Sequence, residues 1–295
     1  MKVGFIGIGT MGGHMAYNLC KAEYEVMVND LNRDLSKRHL EVGATWGDSV
    51  KTIAQSNEVI MTSLPGPKEV QDVALRTDGL LANMKPGSVW FDLSTNSVTV
   101  VRALHAQFKA KGIHMLDAPV SGGTTGAEAA TIAIMVGGDK KVFDDALPVL
   151  QSFSANVIHM GALGNGTVAK LVNNMLSFCN MAALCEGMML GTKYGLDPEK
   201  LLHVISTSSG NSNAIRNFTL RAMKNFYDPP SFALDLAYKD LHLALELGDE
   251  LGVPLQQGAS THNLQRLAKG MGWGPEDSTS VLRVYETMLK HKVNP

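Results

Sequence analysis

The chain has 295 residues, enough for two domains with substantial cores. Its formal net charge is −2, and its lysines and arginines form no block, which argues against nucleic acid or an anionic membrane as a partner. The three cysteines show no CxxC spacing, so we expect reduced thiols and no metal site. A strand that begins at Lys2 and the lack of an apolar run of about 18 residues predict a cytoplasmic protein without leader or membrane span.

The first thirty residues have the order strand, glycine loop, helix, strand and acidic residue. A buried strand over 2–8 is followed by a G-x-G-x-x-G pattern, a helix over 11–21 and a second strand over 25–29. This is the full context of a dinucleotide-binding loop, in which glycines let backbone N–H groups approach a pyrophosphate. The residues expected to bind it are Gly7, Gly9, Thr10, Met11 and Gly12.

Asp30 ends the second strand, 18 residues after Gly12. A carboxylate there accepts hydrogen bonds from the adenosine ribose and repels a 2′-phosphate, which predicts NAD rather than NADP as the cofactor. Arg33 lies close by and keeps NADP open as the alternative. A second alternative is structural, with ordinary turn glycines and an Asp30 that only caps the next helix.

The alternation of strands and helices continues through the first half. Further strands are predicted over 58–63, 88–93, 114–118, 130–136 and 156–160. Loops after the carboxyl ends of parallel strands bind ligands in open α/β sheets. We therefore expect Leu64, Pro65 and Thr95 to line the nicotinamide side of the cofactor. The alternative for the neighbouring Ser94 or Asn96 is the N-cap of a helix that begins near Val98.

A long apolar helix is predicted to follow, up to about Tyr194. Apolar residues occupy its whole circumference, as in a helix that is buried on most sides. Lys170 and Asn174 lie four residues apart and so share one face. Because a lone lysine is costly to bury, Lys170 is a candidate functional residue, the alternative being a lysine that reaches to the surface.

From Gly195 onward only helices are predicted. They cover 199–205, 213–225, 233–251, 256–269 and 276–290. The expected fold is an α/β Rossmann-type dinucleotide-binding domain and an all-α domain joined by a long helix. The expected bounds are 1–162 for the NAD-binding domain, 163–194 for the interdomain helix and 195–295 for the substrate and oligomerisation domain.

Four segments together resemble one known family. They are GFIGIGTMG at 4–12, DAPVSGG at 117–123, GNG at 164–166 with KLVNN at 170–174, and KDL at 239–241. In this order they are typical of the β-hydroxyacid dehydrogenases. That family includes 3-hydroxyisobutyrate, tartronate semialdehyde and 2-(hydroxymethyl)glutarate dehydrogenases, and the likeness is greatest to the last. The resemblance covers essentially the whole chain.

The resemblance implies a role for each matching residue. Lys170 matches the general acid/base, and Asn174 matches the asparagine that orients the substrate. The residues that match the substrate carboxylate site are Ser121, Gly122 and Gly123. Thr95 and Lys239 match residues at the nicotinamide end of the cofactor. The family also implies a homodimer or homotetramer acting on a small hydroxycarboxylate.

The chemistry of alcohol oxidation agrees with a buried lysine. A free lysine has a pKa of about 10.4, too high for an efficient base at neutral pH. Burial, together with the cation of Lys239, is expected to lower the pKa of Lys170. The alternative for Lys239 is a helical charge pair with Asp240.

Differences between this chain and two related families narrow the range of predicted activities. The chain has Asn173 where 6-phosphogluconate dehydrogenases typically have histidine, and it keeps the lysine that imine reductases usually replace. Arg216 is a candidate for binding a second substrate carboxylate, the alternative being a structural salt bridge. The prediction is an NAD-dependent oxidoreductase that interconverts a small 3-hydroxy acid and its semialdehyde. The alternatives are an NADP-dependent semialdehyde reductase of the same family and a non-catalytic, dehydrogenase-like cofactor-binding module.

Overall fold

The computed structural model describes residues 1–294, which form two compact units. The first unit is Met1–Lys170 and the second begins at Leu171. The boundary lies within one long helix, so each unit contains a part of it.

The first unit is built on a nine-stranded sheet. Six parallel strands lie in the order β3-β2-β1-β4-β5-β6, the strand order of a doubly wound dinucleotide-binding fold. Beyond β6, β8 runs antiparallel to both β6 and β7 and pairs in parallel with β9. The strands are β1 Lys2–Ile6, β2 Glu25–Asn29, β3 Thr45–Trp46, β4 Val59–Thr62, β5 Val89–Asp92, β6 His114–Asp117, β7 Val120–Ser121, β8 Ile132–Gly137 and β9 Ser154–Gly161.

Helices connect the parallel strands and cover both faces of the sheet. The central strands are almost continuous apolar runs because both faces are buried, and the sheet carries two separate apolar clusters. The helices are α1 Gly12–Lys21, α2 Lys37–Leu40, α3 Val50–Ser56, α4 Pro67–Leu75, α5 Leu80–Asn83, α6 Val98–Ala110, α7 Gly123–Glu128 and α8 Lys140–Gln151. A 3₁₀ helix, Arg33–Ser36, precedes α2.

The long helix α9 covers Asn165–Tyr194, in agreement with the prediction. The rest of the second unit is helical and packs around an apolar cluster of its own. Its helices are α10 Pro198–Thr207, α11 Ala214–Leu220, α12 Leu234–Leu251, α13 Gln256–Gly270 and α14 Leu282–Leu289, with 3₁₀ helices at Ala222–Lys224 and Ser278–Val281.

The structure corrects the prediction of one helix over 276–290. Asp277 is buried, and its carboxylate accepts hydrogen bonds from Ser231 N at 2.8 Å and from Thr279 N at 3.0 Å. These bonds hold 277 in extended backbone next to Ala233, so a 3₁₀ turn comes first and α14 begins only at Leu282. The predicted helix over 213–225 is also shorter and ends at Leu220.

The expectation that α9 is buried on most sides is wrong, because a large part of its circumference is exposed. Leu176, Leu190 and Tyr194 are exposed by 53%, 76% and 87%. Among residues 1–294, α9 is the one helix long and apolar enough to cross a membrane, although 39% of its most apolar window is buried in the protein. Core helices of soluble proteins share this property.

Of the three free thiols, Cys20 and Cys185 are buried and Cys179 is partly exposed.

Candidate active site

The glycine loop joins β1 to α1 with no room for side chains at two of its three glycines. Gly7 has φ +89°, and a Cβ there would lie 2.3 Å from the carbonyl oxygen of Ser63. A Cβ on Gly12 would lie 1.9 Å from the carbonyl oxygen of Gly7. Gly9 faces open space, with no atom within 4 Å of its Cβ position. Exposed backbone before a helix N-terminus fits a dinucleotide pyrophosphate.

Asp30 is bound to this loop. Its Oδ2 accepts a hydrogen bond from Ile8 N at 2.8 Å, and its Oδ1 accepts one from Asn32 N at 2.9 Å. The capping alternative is wrong, because Asn32 is the residue whose side chain caps the following 3₁₀ helix. The carboxylate is therefore fixed beside the glycine loop at the end of β2, where an adenosine ribose binds in this fold.

A hydrogen-bond network ties together the ends of β4 and β5. Ser94 Oγ accepts a hydrogen bond from Leu64 N at 2.9 Å, which joins the two predicted nicotinamide loops. The buried carboxylate of Asp92 accepts hydrogen bonds from Thr62 Oγ1 at 3.0 Å and from Asn96 Nδ2 at 2.9 Å. Burial raises the pKa of Asp92, and these donors act in the opposite direction.

This network argues against the alternative in which Ser94 or Asn96 is the N-cap of α6. The residue in the N-cap position of α6 is Ser97, and the side chains of Ser94 and Asn96 are used within the network. Thr95, between them, is half-buried, and Pro65 is exposed at the end of β4.

The Ser121 loop follows β6 through a short strand. Val120 and Ser121 pair with β8, which leaves Ser121 half-buried, with exposed glycines after it. Gly122 has φ +141° and Gly123 has φ +67°, backbone conformations that strain any other residue. The chain then forms the short helix α7, which begins at Gly123.

Asp117 joins the sheet to the beginning of α9. Its side chain is buried at the end of β6, and it accepts hydrogen bonds from Gly164 N and Thr167 N, both at 2.7 Å. The sequence motif contains Asp117, but its partners lie about 50 residues further along, so no local pattern reveals this function.

Lys170 lies in the second turn of α9 and is 8% exposed. This burial contradicts the alternative of a lysine that reaches to the surface. Asn174 follows one turn later and is also buried.

Asn174, Lys239 and Asp240 form a polar cluster in the second unit. Asn174 Nδ2 donates to Asp240 Oδ2 at 2.7 Å, and its Oδ1 accepts from Asn173 Nδ2 at 3.1 Å. Lys239 Nζ lies 2.9 Å from Asp240 Oδ1, so the predicted charge pair is present. Asp240 itself is 1% exposed, with one carboxylate oxygen hydrogen-bonded to the Asn174 amide and the other beside the Lys239 ammonium.

Arg216 is exposed on α11. No group of three or more histidine, cysteine, aspartate or glutamate side chains is placed to hold a metal ion anywhere in residues 1–294.

The sheet order, the glycine loop and the acidic residue at the end of β2 are those of a dinucleotide-binding protein. Two family descriptions match the chain. Residues 2–161 match the NAD binding domain of 6-phosphogluconate dehydrogenase. Residues 164–285 match the NAD-binding domain of NADP-dependent 3-hydroxyisobutyrate dehydrogenase.

Individual proteins are similar over nearly the full length. The chain is 39% identical to 2-(hydroxymethyl)glutarate dehydrogenase of Eubacterium barkeri over 98% of this chain and 96% of that one. It is 35% identical to NAD-dependent L-serine dehydrogenase of Pseudomonas aeruginosa over 97% of this chain and 98% of that one. A structure of Mycobacterium tuberculosis 3-hydroxyisobutyrate dehydrogenase with L-serine superimposes with a TM-score of 0.87 at 32% identity, covering 96% of this chain and 98% of that one.

The chain thus belongs to the 3-hydroxyisobutyrate dehydrogenase family. It is a hydroxyacid dehydrogenase with a nicotinamide dinucleotide cofactor. The predicted family and fold class are confirmed, and the alternative of a non-catalytic module is not supported.

Proposed function

We propose that the protein interconverts a small 3-hydroxy acid and its semialdehyde with NAD, and that Lys170 is the general acid/base. The observation that carries the proposal is the burial of Lys170, at 8% exposure, in the helix whose sequence matches the family. An ammonium group is costly to bury, and a role in proton transfer accounts for keeping it there.

The names of the relatives support the substrate class. 3-Hydroxyisobutyrate, L-serine and 2-(hydroxymethyl)glutarate are different compounds, but each carries a primary alcohol on the carbon next to the one that bears a carboxylate. A protein that accepts this shared unit needs a carboxylate site and a base for the hydroxyl. We assign the carboxylate to Ser121, Gly122 and Gly123, and the base to Lys170.

Bound NAD would supply the acceptor for the hydride that leaves the alcohol carbon. The neutral amine of Lys170 takes the hydroxyl proton in this direction. In the reverse direction the ammonium polarises the aldehyde oxygen and returns the proton. Asn174, held by Asp240, would donate a hydrogen bond that orients the substrate, and we assign Lys239 and Thr95 to the nicotinamide end on the basis of the family resemblance.

Asp30 supports NAD over NADP. Its carboxylate is held in place by two backbone amides, so it cannot turn away from a 2′-phosphate without losing both hydrogen bonds. The guanidinium of Arg33 lies over the ring of Trp46, 5.5 Å from its centroid, which gives this cation a packing role.

A substrate panel tests the proposed function. Formation of NADH at 340 nm is measured with 3-hydroxyisobutyrate, L-serine, glycerate, 2-(hydroxymethyl)glutarate and 4-hydroxybutyrate. We expect turnover with at least one of the 3-hydroxy acids and a preference over 4-hydroxybutyrate, in which the alcohol lies one carbon further from the carboxylate. Tight binding of NAD without turnover of any hydroxy acid would contradict the proposal.

We further propose that Arg216 binds a second carboxylate. An exposed guanidinium offers a bidentate site to a carboxylate, and 2-(hydroxymethyl)glutarate has two such groups whereas L-serine has one. Arg216→Ala is expected to raise KM for the dicarboxylate and leave KM for L-serine unchanged. An equal effect on both would assign Arg216 to structure.

A further inference from the structure

The beginning of α9 is held by a carboxylate that comes from the sheet. Asp117 is the last residue of β6, and its side chain is 1% exposed. Its Oδ1 accepts a hydrogen bond from Gly164 N at 2.7 Å. Its Oδ2 accepts hydrogen bonds from Thr167 N at 2.7 Å and from Thr167 Oγ1 at 2.9 Å. Asp117 therefore satisfies first-turn N–H groups that have no partner within the helix, and its negative charge lies at the positive end of the helix dipole.

Two glycines allow β8 and the first turn of α9 to pack closely against each other. A Cβ on Gly166 would lie 2.1 Å from the carbonyl oxygen of Met135. A Cβ on Gly137 would lie 2.4 Å from Oδ1 of Asp117. The carboxylate thus sits in a space that admits no other side chain, and the helix cannot shift on the strand without breaking its hydrogen bonds.

The same carboxylate relates two parts of the proposed site. Lys170 lies three residues after Thr167, one helical turn from the hydroxyl that Asp117 binds. Ser121 lies four residues after Asp117, beyond the end of β6. A displacement of the first turn of α9 would move the Lys170 amine, whereas the loop at Ser121 would stay in place.

We propose that Asp117 is a positioning residue for Lys170, which sets the place of the Nζ atom relative to the carboxylate site at Ser121. This inference rests on the proposed function for the role of Lys170. The anchoring of α9 by Asp117 is open to test by itself.

A substitution of Thr167 gives a more specific test than one of Asp117, because it removes one hydrogen bond and keeps the buried charge of Asp117. Thr167→Val removes the hydroxyl bonded to Asp117 with little change in shape. Thr192→Val is the matched control in the same helix, about 37 Å further along. Thr192 is also buried and donates its hydroxyl to the carbonyl oxygen of Met188 at 2.9 Å.

The expected result separates positioning from stability. Both valine variants should show a lower Tm. Thr167→Val should also lower kcat by about 10- to 100-fold, since small misplacements of a reacting group have effects of that size. KM for NAD should not change. Thr167→Ser, which keeps the hydroxyl, should restore kcat, and Thr192→Val should have the kcat of the wild type. Equal kcat values for the two valine variants would overturn the proposal.

Hydrogen–deuterium exchange gives a readout that needs no turnover. Asp117→Asn keeps a single acceptor oxygen, so Gly164 N and Thr167 N can no longer both be bonded to this side chain. In this variant the backbone amides of residues 164–170 should lose protection while those of residues 180–192 keep it. Unchanged protection at 164–170 would overturn the anchoring. A wild-type protein inactive toward every hydroxy acid would refute the proposed function instead, and the exchange result would then decide the anchoring alone.

Discussion

At the scale of single residues, Asp240 determines which end of the Asn174 amide is free. A carboxylate only accepts hydrogen bonds, so the Asn174 nitrogen must be the atom that faces it, at 2.7 Å. The Asn174 oxygen is engaged by Asn173. One N–H of Asn174 is left for a substrate oxygen, which makes Asn174 a donor in the proposed reaction.

Asp240→Asn is expected to remove this preference, because two amides pair equally well in either orientation. We predict that kcat/KM for the hydroxy acid falls about tenfold, which corresponds to roughly 1.4 kcal/mol, and that KM for NAD stays the same. Asp235→Asn in the same helix, whose carboxylate pairs with Lys269, is the control and should leave both values unchanged. Wild-type kcat/KM in Asp240→Asn would show that the amide orientation does not matter.

Cofactor preference is a second prediction at this scale. Asp30→Asn removes the charge that opposes a 2′-phosphate, so the ratio of kcat/KM for NAD to that for NADP should fall at least about tenfold. Asp34→Asn removes a neighbouring charge that pairs with Lys37 on the surface, and it should not change the ratio. An unaltered ratio in Asp30→Asn would mean that another residue selects the cofactor.

At the scale of elements, substitutions in the glycine loop are expected to distinguish effects on folding from effects on NAD binding. Gly9→Ala adds a methyl group in open space, so the Tm should stay near that of the wild type while the Kd for NAD rises. Gly12→Ala brings a methyl group 1.9 Å from the Gly7 carbonyl oxygen, so the Tm should fall as well. Gly187→Ala, which also meets no atom within 4 Å, is the control without effect on NAD binding. Thermal unfolding and fluorescence titration measure both quantities, and unimpaired NAD binding by Gly9→Ala would exclude this loop as the pyrophosphate site.

His262 in α13, which packs against α12, is expected to make the stability of the protein depend on pH. Burial, together with the cations Arg266 and Lys269 and the ring of His242, lowers the pKa of His262 to about 4 from an ordinary value of 6.5. Below pH 6.5 the unfolded chain therefore binds a proton that the folded chain refuses. Stability should fall as the pH drops from 6.5 to about 4. The Tm of His262→Gln should fall less over this range, and an identical pH dependence would contradict the assignment.

Local patterns predict the elements well where one residue type dominates. The strands of the parallel sheet follow from their continuous apolar runs, and α9 follows from a long segment without proline. The late beginning of α14 depends on the Asp277 carboxylate and its contacts with Ser231, 46 residues earlier in the chain. A contact of that range leaves no periodic trace in the sequence.

The site divides in the same way. Lys170, Asp30 and the glycines are identified by their motifs. The contacts of Asp117 with the first turn of α9 and of Asp240 with Asn174 are not, because each joins residues at least 47 positions apart. The sequence therefore suggests the groups that we propose to react, while the contacts that hold these groups in place require the structure.

At the scale of the whole molecule, we propose a cytoplasmic homodimer or homotetramer. We also propose the domain division 1–162, 163–194 and 195–295. Large apolar side chains are exposed along α9 and near the end of the second unit, among them Leu190 and Met288 at 76% and 65%. Light scattering should give a mass of two or four protomers of 31.7 kDa, and a mass of one protomer at micromolar concentration would contradict the assembly.

Proton transfer by Lys170 is the step on which the proposed function depends. Its most direct test compares wild type and Lys170→Ala in NADH formation at 340 nm with the best 3-hydroxy acid of the panel, alongside the Kd for NAD from fluorescence. We expect kcat to fall by about 10²- to 10⁴-fold in Lys170→Ala, with a nearly unchanged Kd for NAD. A Lys170→Ala variant that retains most of the wild-type turnover would contradict this role.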